Sequence, residues 1–597
     1  MSRSSMHSMK QRIRIVFVMM LIFTAYLAYS LVQVQARQML RDRPPTGFKS
    51  FRDMATSLHT ASVPLRVLRG SILDRNHQVL ASSLTLRSIA INPDHVRQWL
   101  QPAGRPQFAA FLARILHTNR QSILNKIDQH ETFAWLGRKM PAAVTKKVEH
   151  LNLPGIFLVP EASGKRFYPK GRLAVHVIGY TGVDDNGLDG IEASYDAWLR
   201  GIPGYIEAET DPSGCRLPDG WVHLHPARPG RNVVLTIDSA IQFVAERQLA
   251  RAVKKFHGSS GCCIVMNVRN GDILALANVP DYRTQDFAHV PESLRRDRAI
   301  SDIYEPGSTM KIFTASAALD SGSISLHQQF YCGSVINVDG WPIHNADDGD
   351  FSATGSENII GIVTHSYNVG TVSIALHMGK KIFQRYLKRF GFGRRTGIPL
   401  PGEAAGLIQP YKDWANVTLA TCAFGQGITV TPIQLICSAE GAINGGVMMR
   451  PRLVKEIDLP DGTVVKRFPP RVRRRVISAH TSAEIRYILR SVVVNGTGKQ
   501  ADSPAYPAAG KTGTANIAEN GVYTHMYNAS FLGFAPYDKP QVIVLVKVED
   551  PHPIHWGGSV CAPVFRSVVA EALWRLGVPP RAVPTPPAPK GHPENKD

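Results

Sequence analysis

Cysteine is scarce: seven occur in 597 residues. That is too few for a disulfide scaffold in a chain this long, and the odd number leaves at least one unpaired within it. No Cys-x-x-Cys pair and no His-Glu-x-x-His run occurs, so no metal and no cofactor is expected. Acidic residues are in deficit, 47 against 68 Lys and Arg, for a net charge of +21. Such an excess would suit a nucleic-acid binder, yet the basic residues are spread along the whole chain without an RNP, zinc-finger or homeodomain pattern, and no nucleic-acid partner is expected. Long hydrophobic runs are absent but for one, which excludes a polytopic membrane protein. Internal repeats are absent too. With 44% apolar and 19% charged residues, the bulk is globular, with room for two or three domains at roughly 100–200 residues each.

The single run spans residues 15–36, uncharged throughout and long enough to cross a bilayer core of about 30 Å. Arg3, Lys10, Arg12 and Arg14 precede it, which keeps residues 1–14 in the cytoplasm. Val34-Gln35-Ala36 resembles a signal-peptide cleavage site, but a signal core is typically about 7–15 apolar residues. A retained single-pass anchor is therefore the preferred reading, and under either reading the remainder is exported.

Residues 37–60 read as a polar linker. Over 61–215, short β-like runs such as SILDRN and GIFLVP alternate with Gly/Pro breaks. GRNVVLTID predicts a strand, and SAIQFVAERQLARAVKKF has apolar residues at helical spacing. From 261 to about 575 the pattern is mixed. The strand-like CCIVMNV and VIVLVKV lie at opposite ends of this region, predicting one sheet closed by distant segments with helices against it. Cys262 and Cys263 should then point to opposite faces as buried apolar side chains. His552 and His555 flank Pro553 in a loop-like stretch and read as polar surface. The Pro-rich tail, 576–597, is expected to be disordered.

Three short motifs follow in order: Ser308-Thr309-Met310-Lys311, Ser366-Tyr367-Asn368 and Lys511-Thr512-Gly513. Each is weak alone; the ordered set is specific for penicillin-binding and class A β-lactamase chemistry. Pro306-Gly307 precedes Ser308 and MKIFTASAAL continues as a helix, so Ser308 falls at a helix N-terminus, where developing negative charge is favoured. Lys311 follows about one turn later on the same face. A serine is a poor nucleophile until a base takes its proton. A lysine serves only if burial and nearby positive charge, here Lys511, lower its affinity for that proton. Ser356-Glu357-Asn358 also reads Ser-x-Asn, but Ser356 is expected to be the N-cap of the next helix. Ser366 and Asn368 lie beyond that helix, where a hydroxyl relays a proton and an amide orients Lys311. GKTGTAN reads as an edge strand: Gly513 would admit a substrate backbone, Lys511 and Thr512 would meet a carboxylate, and the N–H groups of Ser308 and Thr514 would form an oxyanion hole.

With these motifs in place, the chain resembles a class B penicillin-binding protein, a membrane-anchored peptidoglycan D,D-transpeptidase. RGSILDRN (69–76), RFYPKGRLAVHVIGYTG (166–182) and GLDGIEASYDAWLRGIPG (187–204) are similar to the family's pedestal. DIYEPGSTMK, FGFGRRTGIPLPGE (390–403), GQGITVTPIQL (425–435) and AGKTGTA are similar to its catalytic part. His77 stands where the pedestal motif usually has glycine, in a turn that would strain any other residue at positive φ. SYNVG, VTPIQL and SFLGFAP favour the division-specific, FtsI-like type.

The resemblance implies an α+β fold: a transmembrane helix, an elongated mostly-β pedestal over 61–215, and an antiparallel sheet packed by helices over 230–575. It implies catalytic roles for Ser308, Lys311, Ser366, Asn368 and Lys511, and substrate contacts by Thr512, Gly513 and Thr514. The implied partners are peptidoglycan stem peptides and glycan strands, covalent β-lactams, a SEDS-type (FtsW-like) glycosyltransferase and other division proteins. The implied place is the inner membrane, with the catalytic part on the extracytoplasmic side. An elongation-type transpeptidase, a D,D-carboxypeptidase or β-lactamase, a non-catalytic β-lactam sensor and an inactive divisome scaffold are the rival readings. For the β-lactamase, Glu440-Gly441-Ala442-Ile443-Asn444 superficially offers a deacylating glutamate, but it reads better as a helix end running into Gly445-Gly446.

Overall fold

A computed structural model describes residues 3–39, 60–65, 67–84, 86–129, 131–160, 165–211, 217–346, 355–519 and 521–581. Most of the linker (40–59) and of the Pro-rich tail (582–597) lies outside these residues. The chain forms two compact units, Met1–Val67 with Ile202–Arg228, and Leu68–Gly201 with Pro229–Asp597.

In the first unit, α1 (Arg3–Met39) contains Arg14–Gln33, long and apolar enough to cross a membrane. The same unit holds a three-stranded antiparallel sheet in which Gly204–Glu209 lies between Thr60–Leu65 and Val222–His225.

The second unit begins with pedestal sequence, and here the expectation of a mostly-β pedestal is corrected. Residues 93–151 carry four helices, Pro93–Trp99, Arg105–Leu116, Arg120–Asp128 and Ala142–Leu151. They pack Leu112, Ile123, Ile127 and Val148 against Ile89 and Ile91 of a three-stranded sheet. Asn92 and Asn119 cap two of these helices by accepting backbone N–H bonds from His95 and Gln121, as short polar side chains do at helix starts. Ile72–Leu73 pairs in parallel with Asn232–Leu235, which pairs in turn with Val454–Asp458. Pedestal sequence and catalytic-region sequence thus share one six-stranded sheet.

A buried ion network ties the pedestal motifs together. Arg69 Nε donates to Glu192 (2.7 Å) and Arg69 Nη1 to Asp196 (2.6 Å), while Arg166 Nε donates to the other Glu192 oxygen (2.5 Å). Asp74 accepts from the Ser239 hydroxyl (2.6 Å) and from the N–H groups of Asn76 and Gln78. These bonds close a turn in which His77 has φ +60°, the strained conformation expected there.

The catalytic region is built on α2 (Ser239–Lys255), β1 (Ser260–Asn267), β2 (Ile273–Val279), α3 (Lys311–Asp320), α4 (Ile359–Thr364), α5 (Asn368–Met378), α6 (Pro432–Ile443), β3 (Ala509–Glu519), β4 (Val522–Ala535), β5 (Val542–Glu549) and α7 (Ala562–Arg575). Asp238 caps α2, accepting from Ala240 and Ile241 N–H, and Ile241, Ala245, Leu249 and Ala252 form its buried stripe. The five strands run in the order β2-β1-β5-β4-β3, all antiparallel. β1 and β5, far apart in sequence, are neighbours, so the sheet is closed by distant segments as expected.

Because the sheet is covered on both faces, its central strands are continuous apolar runs rather than alternating ones. Cys263, Val265, Val544 and Val546 face α2 and α7; Cys262, Ile264, Ile543 and Leu545 face the layer containing α3. Each fully buried side chain of this kind contributes about 1.5–3 kcal/mol. The adjacent cysteines point into opposite cores, as alternation requires.

Candidate active site

Ser308 lies in a tight turn, Gly307–Met310, that runs directly into α3, so it stands in the first turn of the helix as its sequence context implied. Gly307 has φ +55°, and a Cβ there would lie 3.0 Å from Thr514 O and 3.1 Å from Ala515 Cβ. The turn is therefore pressed against β3, and its glycine is required both by conformation and by contact.

Lys311 is 1% exposed. Its Nζ donates to the Ser366 carbonyl, to Ser366 Oγ (3.2 Å) and to Asn368 Oδ1 (2.8 Å). Two local features arrange these acceptors. Ser366 sits between α4 and α5 at φ +62°, a conformation that turns both its carbonyl and its hydroxyl onto one ammonium and is unfavourable for a non-glycine residue. Asn368 Nδ2 donates to His344 O (3.1 Å), leaving Oδ1 for Lys311. The decoy is corrected: Ser356 lies in the strand Gly355–Asn358, and Asn358 caps α4 by accepting from Ile360 and Gly361 N–H. Asn358 stands directly before the helix, where its oxygen reaches the first free N–H groups; Ser356 is two residues too early.

β3 is the last strand of the sheet, so GKTGTAN is an edge strand as read. Lys511 is 0% exposed, and its Nζ donates to Thr512 O (3.2 Å) and Oγ1 (3.3 Å). Thr512 Oγ1 shares a 2.7 Å hydrogen bond with Thr497 Oγ1, and Thr514 Oγ1 accepts from Gly557 N–H. The glycine of this motif also has close neighbours within the protein. A Cβ at Gly513 would meet Ser530 Oγ at 2.4 Å, Thr309 Cγ2 at 3.0 Å and Pro306 O at 3.2 Å. Gly513 makes room for the Ser530 hydroxyl and for the turn that carries Ser308.

Ser308, Asn368 and Thr514 line one cleft of about 440 Å³, together with Trp341, His344 and Asn516. A half-buried nucleophile candidate and an open strand edge thus share this cleft, and Asn368 on its wall holds the buried Lys311 ammonium one turn from Ser308. The penicillin-binding protein transpeptidase domain matches residues 261–570, and the penicillin-binding protein dimerisation domain matches 64–235.

The chain belongs to the penicillin-binding protein transpeptidase family.

Among its relatives, stage V sporulation protein D of Bacillus subtilis is 35% identical, over 88% of this chain and 81% of that protein. Peptidoglycan D,D-transpeptidase FtsI of Escherichia coli K12 is 31% identical, over 87% and 85%. Penicillin-binding protein 3 of Mycobacterium tuberculosis, solved in complex with aztreonam, superposes with a TM-score of 0.66 at 28% identity, over 87% of this chain and 98% of that one.

Within this penicillin-binding protein, several cleft residues lie outside every motif. Trp341 and His344 come from a hairpin, Val335–Val338 paired with Trp341–His344; Thr497, which bonds Thr512 behind the cleft, comes from the turn after the helix Ala479–Val494. The hairpin has no spacing that marks it; Thr497 is signalled only by the glycines on either side of it. Glu440, the residue of the β-lactamase reading, is fully buried in α6 and accepts from Met449 N–H and Asn444 Nδ2. It does not line the Ser308 cleft. Burial pushes its carboxyl up to about 8. His555 stacks on Tyr527 at 4.1 Å, so it is more than polar surface.

Proposed function

We propose that Ser308 is the nucleophile of a peptidoglycan D,D-transpeptidase working in septal wall synthesis, and that β-lactams acylate the same hydroxyl. The observation that carries this reading is Lys311: buried, one turn from Ser308, and held by both Ser366 and Asn368. Lys311 Nζ, as the neutral amine, takes the Ser308 proton while Oγ bonds to the carbonyl carbon of the penultimate D-alanine. The charge that develops on the carbonyl oxygen is met by the N–H groups of Ser308 and Thr514. The C–N bond breaks, the leaving D-alanine amine receives the proton through the Ser366 hydroxyl, and an acyl-enzyme remains. An amine from a neighbouring strand then displaces Ser308, giving the cross-link and restoring the hydroxyl. Lys511 and Thr512 hold the terminal carboxylate, and the main chain at Gly513 and Thr514 pairs with the substrate backbone along the edge of β3.

α1 anchors the chain in the inner membrane with the pedestal (61–215) and catalytic region (230–575) outside the cytoplasm. A SEDS-type polymerase and other division proteins act beside it. Arg69, Asp74 and Glu192 are all buried, so these pedestal charges hold the fold and a partner meets other residues. The decisive experiment labels membranes carrying the full-length chain with fluorescent penicillin and maps the adduct. Label on Ser308, lost in Ser308→Ala, is expected; an adduct elsewhere overturns the reading.

A further inference from the structure

A cavity of about 550 Å³ opens where pedestal sequence meets the catalytic region, and it shares no lining residue with the Ser308 cleft. Its volume is that of a small-molecule site. The pedestal contributes His176, Tyr180 and Asp189; the catalytic region contributes Arg295, Asp297 and Ile300. Two buried polar atoms on these residues have no hydrogen-bond partner among the described residues, and they are of opposite kind. Arg295 Nε can only donate, and Asp297 Oδ2, when ionised, can only accept. Tyr282 Oη, on a ring that meets His176 edge-on at 5.3 Å, is a third such atom. Buried polar groups are nearly always paired, so three orphans around one cavity ask for a ligand.

Local structure keeps the two charges from satisfying each other. Arg295 ends the short helix Glu292–Arg295, and Asp297 caps the next, Arg298–Ser301. Arg295 Nη1 donates to the Tyr180 hydroxyl. Asp297 Oδ1 accepts from Asn278 Nδ2 (2.9 Å) and Ala299 N–H (3.1 Å), which leaves Oδ2 free. Neither has an ion-pair partner among the described residues; the adjacent Arg296 and Arg298 are taken by Asp302 (3.0 and 3.3 Å). Asp189, which accepts from Gly190 N–H (2.8 Å), is a second carboxylate, near enough to raise the Asp297 carboxyl. The cavity therefore presents an uncompensated guanidinium and an uncompensated pair of carboxylates. The complement is a zwitterion: an ammonium offers three donors, and a carboxylate matches the guanidinium fork. Leu188, Ile300 and Leu400 supply apolar wall. We propose that this cavity binds a free α-amino acid with an apolar side chain, its carboxylate on Arg295 and its ammonium on Asp297 and Asp189. The site stands or falls independently of the chemistry at Ser308.

The test is calorimetric titration of the full-length protein in detergent with L-leucine, D-leucine and two analogues. Leucinamide lacks the carboxylate, and 4-methylpentanoate lacks the ammonium. Saturable binding of leucine is expected, with each analogue weaker by about tenfold or more, the value of one charge-assisted hydrogen bond. Arg295→Gln should erase the preference over leucinamide, and Asp297→Asn the preference over 4-methylpentanoate; a merely structural defect weakens leucine and both analogues alike. Tighter binding of the D form points to amino acids released from the wall, and of the L form to those of general metabolism; either supports the site. No saturable binding of either enantiomer, or equal affinity for leucine and both analogues, overturns it whatever the variants do. Leucine binding that persists unchanged in both variants places the ligand elsewhere and overturns it as well.

Discussion

Two groups of buried cations invite comparison. In the pedestal, the Arg69 and Arg166 guanidiniums are neutralised by Glu192 and Asp196, with nearly ideal charged bonds. In the catalytic cleft, Lys311 meets a carbonyl, a hydroxyl and an amide oxygen. Carboxylates lock charge in place, whereas neutral acceptors hold an ammonium without fixing its proton. The pedestal arrangement therefore serves stability, and in the mechanism proposed above the cleft arrangement would serve proton transfer at the expense of stability.

Variants can break this contrast. The largest effect is expected from Lys311→Ala: penicillin acylation should fall about a thousandfold or more, because nucleophile and base act as a unit, while the melting temperature holds or rises. Stopped-flow acylation and calorimetry on one preparation check both halves; a large loss of stability would erase the distinction. Glu192→Ala should do the reverse. Removing one partner from a buried ion cluster costs about 3–5 kcal/mol, with the acylation rate per folded molecule unchanged, as denaturant unfolding and active-site titration would reveal.

A third, smaller effect concerns buried acids with neutral donors. Burial raises Glu440 to about 8 and Glu246 and Asp297 to about 7, against about 4 in an unfolded chain. Between those values the folded state binds more protons at these groups than the unfolded one, so their contribution to stability is greatest at low pH and declines as pH rises from about 4 to 8. Glu440→Gln should flatten the upper part of that decline in melting curves taken from pH 5 to 8.5. A decline of unchanged steepness would mean that Glu440 is not among its sources. Smallest is His77→Gly. Relief at φ +60° is offset by greater freedom of the unfolded chain, so unfolding free energy should change by less than about 1 kcal/mol.

The catalytic elements were legible because their sequence signals are local. Pro306-Gly307 before Ser308, the one-turn spacing to Lys311 and the two distant apolar strands each follow from short-range rules. The left-handed Ser366, which aims two oxygens at one ammonium, carries no such mark; tertiary contacts impose it. The same holds for the Trp341–His344 hairpin, which reaches the cleft only through the fold. The pedestal helices are different. Asn92-Pro93-Asp94 and Asn119 are helix-start signals, but the helices they open are short and broken by Gly and Pro, so the breaks dominated the pattern. At Gly513 the need for a glycine was visible, but not which backbone or side chain came close.

The pairing of β1 with β5 sets a schedule for the newborn chain. Ser260 Oγ donates to Glu549 Oε2 across 289 positions of sequence, and β1 is hydrogen-bonded to β5 along its whole length. At about 5–20 residues per second, synthesis needs roughly 15–60 s to deliver the partner of a strand already made. Throughout that interval the β1–β2 hairpin carries an apolar edge open to any other strand. The helices α3 to α6, all encoded between the two halves of the sheet, can form from local contacts while the gap persists. Completion of the enzyme is therefore a late, single closure, and the wait before it is when the chain is most exposed to aggregation.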